Sequence, residues 1–226
     1  MARQLRLELR REPLYRRRDF VVSAANELAV RALDAWPNWH AGCLALVGPE
    51  GAGKSHLAQA WAKQAQAVVM SAGQRAEADL AALHGRPVLV EDADRGIADE
   101  TLFHLINMAG ERGSGLLLTA RIPPSAWTTG LPDLRSRLNA LSVAELPPPD
   151  DVILDGVLRK FFREHHILPS DDLIAYLVRR IERSVPAAQE VVEQLDEASG
   201  QDHKPVTRAL ARQILEIDGE TPDLFE

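Results

Sequence analysis

Gly48-Pro49-Glu50-Gly51-Ala52-Gly53-Lys54-Ser55 is a complete G-x-x-x-x-G-K-S phosphate-binding loop, and its reading decides the fold. Glycines at 48, 51 and 53 let the backbone turn sharply, so that successive N–H groups face phosphate oxygens. Pro49, Glu50 and Ala52 complete the cradle between them. Lys54 has the reach for β- and γ-phosphates, and the Ser55 hydroxyl suits Mg²⁺. The flanks agree with this. Cys43-Leu44-Ala45-Leu46-Val47 is the short apolar run of a buried parallel strand. Residues 55–66 carry helix formers and neither Gly nor Pro, which sets a bound phosphate on a helix N-terminus.

Outward from the loop, strands alternate with helices. Residues 23–36 predict a helix capped by Ser23, with Leu28 and Leu33 on its inner face. Strands are expected at 67–70, 87–90 and 116–119, with a fifth near 141–143, and helices at 76–83 and 99–112. That alternation argues for a parallel sheet covered on both faces. At Pro147-Pro148-Pro149 the pattern changes. Segments near 150–165, 171–182, 186–198 and 206–217 all read as helices, with Ser170 and Thr207 as caps. The expected organisation is an arm over 1–18, an α/β nucleotide-binding domain over 19–147, and a helical domain with an acidic tail over 148–226.

The 226 residues are 46% hydrophobic and 26% charged, an ordinary globular composition. No apolar run approaches the ~20 residues of a membrane span, and no secretory signal is evident. The single cysteine, Cys43, excludes an internal disulfide framework and suits a small core position. Together these features favour the cytoplasm. The net charge of −7 argues against a strongly basic DNA reader. Charge is uneven, however. Seven arginines lie within residues 1–18, and five acids with no base within the last eleven residues. The arm reads as a solvated tail or as a non-specific phosphate binder.

Val88-Leu89-Val90-Glu91-Asp92 is an apolar strand ending in two acids, with Asp92 38 residues after Lys54. In a nucleotide-binding sheet this position holds the Mg²⁺-supporting carboxylate and the acid that orients the attacking water. Glu91 stands where Asp is usual, and Asp92 where the catalytic acid belongs.

Taken together, these elements resemble an AAA+ ATPase: a P-loop parallel sheet with helices on both faces and a small all-helical lid. Gly53-Lys54-Ser55-His56-Leu57 is similar to the G-K-[ST]-H-L of the DnaA replication-initiator group. Leu117-Leu118-Thr119-Ala120-Arg121 resembles that group's sensor-1 strand end, which marks Thr119 as a site residue. Leu134-Arg135-Ser136-Arg137-Leu138 resembles its arginine-finger segment, with Arg137 as the finger and Arg135 as its competitor. The resemblance makes Phe20 and Val21 the neighbours of adenine and His56 a neighbour of the loop. It implies bound ADP or ATP with Mg²⁺, ADP being favoured. Where the group has a lid arginine on the nucleotide, the alignment places Pro186, with Arg183 offset nearby. With Glu91 at the metal position as well, slow turnover is expected.

Gln4-Leu5-Arg6-Leu7-Glu8-Leu9 is similar to the Q-L-x-L-x-L sliding-clamp peptide of the Hda group, DnaA-like regulators that inactivate the initiator. Extended alternation puts Leu5, Leu7 and Leu9 on one face, with Gln4 as a hydrogen-bonding anchor. Asp223-Leu224-Phe225 faintly echoes other clamp peptides. No helix-turn-helix segment follows the lid in this sequence, so DNA contact is expected chiefly through the clamp. The resemblance therefore implies two partners, the DnaA initiator and the DNA polymerase sliding clamp, no membrane partner, and room for homo-oligomers. The expected role is negative regulation of initiation, by stimulating hydrolysis of DnaA-bound ATP. A DnaA-related clamp adaptor, a helicase-loader-like assembly factor and a P-loop small-molecule kinase remain as alternatives.

Overall fold

A computed structural model describes residues 15–71, 80–111, 113–202 and 205–219. Five parallel strands form the sheet: β1 (Cys43–Val47), β2 (Val68–Ser71), β3 (Pro87–Glu91), β4 (Gly115–Ala120) and β5 (Val143–Glu145). Their order is β2-β3-β4-β1-β5. β1 lies between β4, where Val47 pairs with Ala120, and β5, where Leu46 pairs with Ala144. Every residue of β1 and β4 is buried, as expected of central strands covered on both faces.

The two faces part by strand alternation. Cys43, Ala45 and Val47 point with Leu116 and Leu118 into a core closed by α3 (Asp99–Ala109) and α4 (Pro132–Ala140). Leu44 and Leu46 point with Leu89 and Leu117 toward α1 (Glu27–Asp34) and α2 (Lys54–Ala65). Side chains such as Leu46, Leu57, Leu89 and Leu117 are fully buried, each worth roughly 1.5–3 kcal/mol relative to exposure.

Four helices follow: α5 (Asp151–Glu164), α6 (Asp171–Val178), α7 (Val185–Asp202) and α8 (Arg208–Gly219). They surround their own core, which includes Leu154, Leu158, Phe162, Leu177 and Val192. Ser170 caps α6 by accepting from the Leu173 N–H (3.2 Å), and Thr207 accepts from the Leu210 N–H (3.4 Å).

Several local expectations change. α1 begins at Glu27 with Asn26 at its N-cap; the Ser23 hydroxyl accepts from the Ala25 N–H (3.2 Å) in the turn just before it and donates to Asp150 Oδ2 (2.7 Å) at the head of α5. Leu28 is 77% exposed rather than inward; Ala29, Val30 and Leu33 form the inner face. Residues Leu80–Leu83 form a 3₁₀ turn, and the rest of the helix expected over 76–83 lies outside the described residues. The fifth strand is shifted to Val143–Glu145, with only Ala144 buried. Residues 15–18 are docked on the body: Arg17 pairs with Asp34 at 2.7 Å, and Tyr15 meets the His56 ring.

Candidate nucleotide site

The phosphate loop leaves β1 at the C-terminal edge of the sheet, where open α/β sheets bind ligands. Gly48 donates its N–H to Ala120 O (3.1 Å). An added Cβ at Gly48 would sit 2.1 Å from Leu146 O, so only glycine fits there. Gly51 (φ +75°) and Gly53 (φ +95°) hold left-handed conformations. Gly53 caps α2, so the first helical amides open into the loop. Lys54 is 8% exposed, and its ammonium donates to Gly48 O and Pro49 O, each at 2.8 Å. Burial lowers its pKa; the Asp92 and Asp94 carboxylates oppose that shift and Arg121 adds to it. Turned amides, a helix N-terminus and a buried lysine are a donor set that fits a nucleotide's phosphates.

The tips of β3 and β4 carry the acidic side. Glu91 Oε2 accepts from Gln59 Nε2 (2.9 Å), which ties the carboxylate to α2 one turn beyond Ser55. Ser55 itself is exposed on the first turn of that helix. Asp92 has a left-handed backbone (φ 50°), and its N–H donates to Thr119 Oγ1 (3.0 Å). Thr119 is 1% exposed, so its hydroxyl fixes the strand end from within. Asp92 also lies 3.4 Å from Arg95 NH1. Sequence reading named Arg121 only as the end of the sensor-1-like segment and gave it no role. Its N–H donates to Asp94 Oδ2 (3.0 Å) and its guanidinium lies 3.5 Å from Glu50 Oε2. The signal was there, since an arginine directly follows a strand tip beside the loop. Among the described residues no three His, Cys, Asp or Glu side chains gather as a metal site.

On the other side the loop meets Phe20 and the helical unit. Phe20 Cε2 would lie 3.1 Å from a Cβ at Gly53. His56 packs edge-on to Phe20 and Tyr15, with Nε2 3.0 Å from Arg16 O, so it faces the docked arm beside Phe20. Burial lowers its pKa. Val21 packs against α5 at Gly156, where an added Cβ would come within 2.9 Å. The Val185 N–H at the head of α7 donates to Gly51 O (3.0 Å). A Cβ at Gly51 would meet Ser184 Cβ at 2.5 Å and Pro186 Cδ at 3.1 Å. Pro186 therefore faces the loop where a cation was sought. Arg183 does not replace it, because its guanidinium pairs with Asp151 (2.7 Å) and Pro149 O (3.3 Å).

The two arginines of α4 separate cleanly. Arg135 is half-buried and donates to Ser125 O (3.1 Å) and to Trp127 O. Arg137 is exposed, with its guanidinium 5.0 Å above the Phe103 ring and no ion pair among the described residues. Gln4, Leu5, Leu7 and Leu9, and also Asp223-Leu224-Phe225, lie outside the described residues. No helix among the described residues is long and apolar enough to cross a membrane.

No family model matches the chain. It is 28% identical to the chromosomal replication initiator protein DnaA of Caulobacter sp. (strain K31), over 87% of this chain and 47% of that protein. It is 26% identical to DnaA of Thermomicrobium roseum, over 54% of this chain and 26% of that protein. The chain thus spans less than half the length of these curated relatives. In structure it is similar to domain III of Thermotoga maritima DnaA, with a TM-score of 0.73 at 19% identity, covering 93% of this chain and 99% of that one. A DnaA bound to AMPPCP and single-stranded DNA matches with a TM-score of 0.67 at 17% identity, over 85% of this chain and 69% of that one. The chain is DnaA-like, and its fold is the AAA+ P-loop α/β fold.

Proposed function

We propose that this DnaA-like AAA+ chain is a nucleotide-bound negative regulator of replication initiation. It docks on the DNA-loaded sliding clamp through Gln4, Leu5, Leu7 and Leu9, and offers Arg137 to the ATP of a neighbouring DnaA. The observation that carries this reading is the contrast on α4. Arg135 is engaged with backbone carbonyls, whereas Arg137 stands exposed on the helix surface. A guanidinium delivered from a neighbouring subunit offsets charge developing on the transferred phosphoryl group.

In this reading residues 19–147 bind ADP or ATP, residues 148–226 form the lid, and Phe20 and Val21 lie beside the base. The Gly48–Ser55 amides and Lys54 take the phosphates. Ser55 holds Mg²⁺, with Glu91 and Asp92 supporting it. Thr119 fixes the backbone of Asp92, the acid that orients water. The chain's own hydrolysis is slow, because Pro186 brings no charge to the loop and Glu91 is tied to Gln59.

The test mixes the chain with ATP-loaded DnaA and with clamp on DNA. The wild type should speed conversion of DnaA-bound ATP to ADP. Changing Leu5, Leu7 and Leu9 to alanine should remove the acceleration and co-elution with clamp while leaving nucleotide affinity unchanged. Clamp binding without acceleration would mark the chain as an adaptor instead.

A further inference from the structure

We infer that Arg121 is a second phosphate-ligating cation of this loop, parked on Glu50, and that exchanging Glu50 for a terminal phosphate lets the chain tell a nucleoside triphosphate from a diphosphate. The inference rests on the nucleotide-binding reading above and deepens it.

Position comes first. Gly48 donates to Ala120 O at 3.1 Å, so residue 121 leaves the sheet beside the first residue of the loop. The Arg121 N–H donates to Asp94 Oδ2 (3.0 Å), which fixes the direction in which the chain turns. From there the guanidinium reaches back to Glu50, 3.5 Å away, inside the loop. Lys54 reaches the same stretch from the helix side, onto Gly48 O and Pro49 O. Two cations therefore converge on residues 48–50 from opposite ends. Arg121 comes from the strand-tip side, where Thr119 and Asp92 lie. The acid that orients water in this reading, Asp92, lies on that side, and water attacks the terminal phosphate, so the phosphate met there is the terminal one.

Energetics favour the exchange. The Arg121 and Glu50 side chains are 44% and 78% exposed, and such solvent-facing pairs are weak. A phosphate offers the guanidinium a two-pronged partner of higher charge. Unlike Arg121, the nearby arginines pair with residues outside the loop: Arg95 with Asp92 at 3.4 Å, and Arg183 with Asp151 and Pro149 O. Pro186 faces the loop from the helical unit without charge. The sheet edge thus supplies the cation that the helical unit does not. Glu50 completes the device, since its carboxylate would repel a phosphate if Arg121 did not neutralise it.

Calorimetric titration with ADP and with ATP, each with Mg²⁺, tests this on wild type, Arg121→Ala, Glu50→Gln and the double variant. Arg121→Ala should weaken ATP binding about 10-fold or more, in keeping with loss of a charge-assisted hydrogen bond, and ADP binding much less. Glu50→Gln should tighten ATP binding more when Arg121 is absent, because the carboxylate then stands unneutralised, than when it is present. Equal losses for ADP and ATP, or a Glu50→Gln effect independent of Arg121, would overturn the inference and leave the loop assignment standing. If the folded wild type bound neither nucleotide, the nucleotide-binding reading itself would fall, and this inference with it.

Discussion

Replacing each α4 arginine by alanine should have opposite consequences for stability and for function, and the structure sets the sizes. Arg135 makes two hydrogen bonds to backbone carbonyls, at Ser125 and Trp127, from a half-buried position. Bonds that involve a charged group contribute about 1.5–3 kcal/mol when well shielded. One of the two is solvent-facing, so Arg135→Ala should cost about 2 kcal/mol in total. Arg137 has only its stacking over Phe103 at 5.0 Å. At an exposed site that contributes about 0.5–1 kcal/mol. For a chain of this size 1 kcal/mol moves the melting temperature by about 2–4 °C. Thermal unfolding followed by circular dichroism should thus show a drop of about 4–8 °C for Arg135→Ala and about 1–4 °C for Arg137→Ala. Equal destabilisation, or a larger drop for Arg137→Ala, would refute the assignment of Arg135 as the structural arginine and Arg137 as the free one.

Two further outcomes follow from the loop and the core. Gly51→Ala must hold φ near +75° and press on Ser184 and Pro186; the backbone conformation alone costs about 1–2 kcal/mol. The variant should melt lower and bind ADP more weakly in calorimetry, and wild-type values on both counts would contradict the contact between the loop and α7. Burial raises the Cys43 thiol from its ordinary 9.0 to about 12. The folded thiol should therefore resist iodoacetamide at pH 8 and react fully in denaturant, as read by mass spectrometry. The same shift sets the sign of a pH effect. The unfolded chain loses this proton first, so the contribution is complete below pH 9.0 and is lost as pH rises toward about 12.

The elements legible in the sequence are those whose residues answer to one local constraint. β1 and β4 are buried on both faces, so they read as unbroken apolar runs. The loop reads from its glycines because turned backbone and close approach leave no alternative at 48 and 51. The helices of the C-terminal half read from their periodicity. Features set by distant partners were not legible. The Ser23 hydroxyl also ties its turn to Asp150, 127 positions away. Arg183 is taken by Asp151 and Pro149, and Glu91 by Gln59. α4 buries only Leu134 and Leu138, too little apolar pattern to announce a helix. The pairing of Arg121 with Glu50 spans two loops whose proximity comes only from the order of β1 and β4.

The central claim concerns one guanidinium acting on a neighbour's ATP. Single-turnover hydrolysis of ATP held by DnaA, with clamp on DNA and with wild type or Arg137→Ala in excess, measures it directly. The account predicts that wild type accelerates the reaction strongly, as arginine fingers do by roughly 10³–10⁵ in favourable cases. Arg137→Ala should lose nearly all of that acceleration while still binding clamp and nucleotide. A variant that hydrolyses DnaA-bound ATP as fast as wild type would contradict the account.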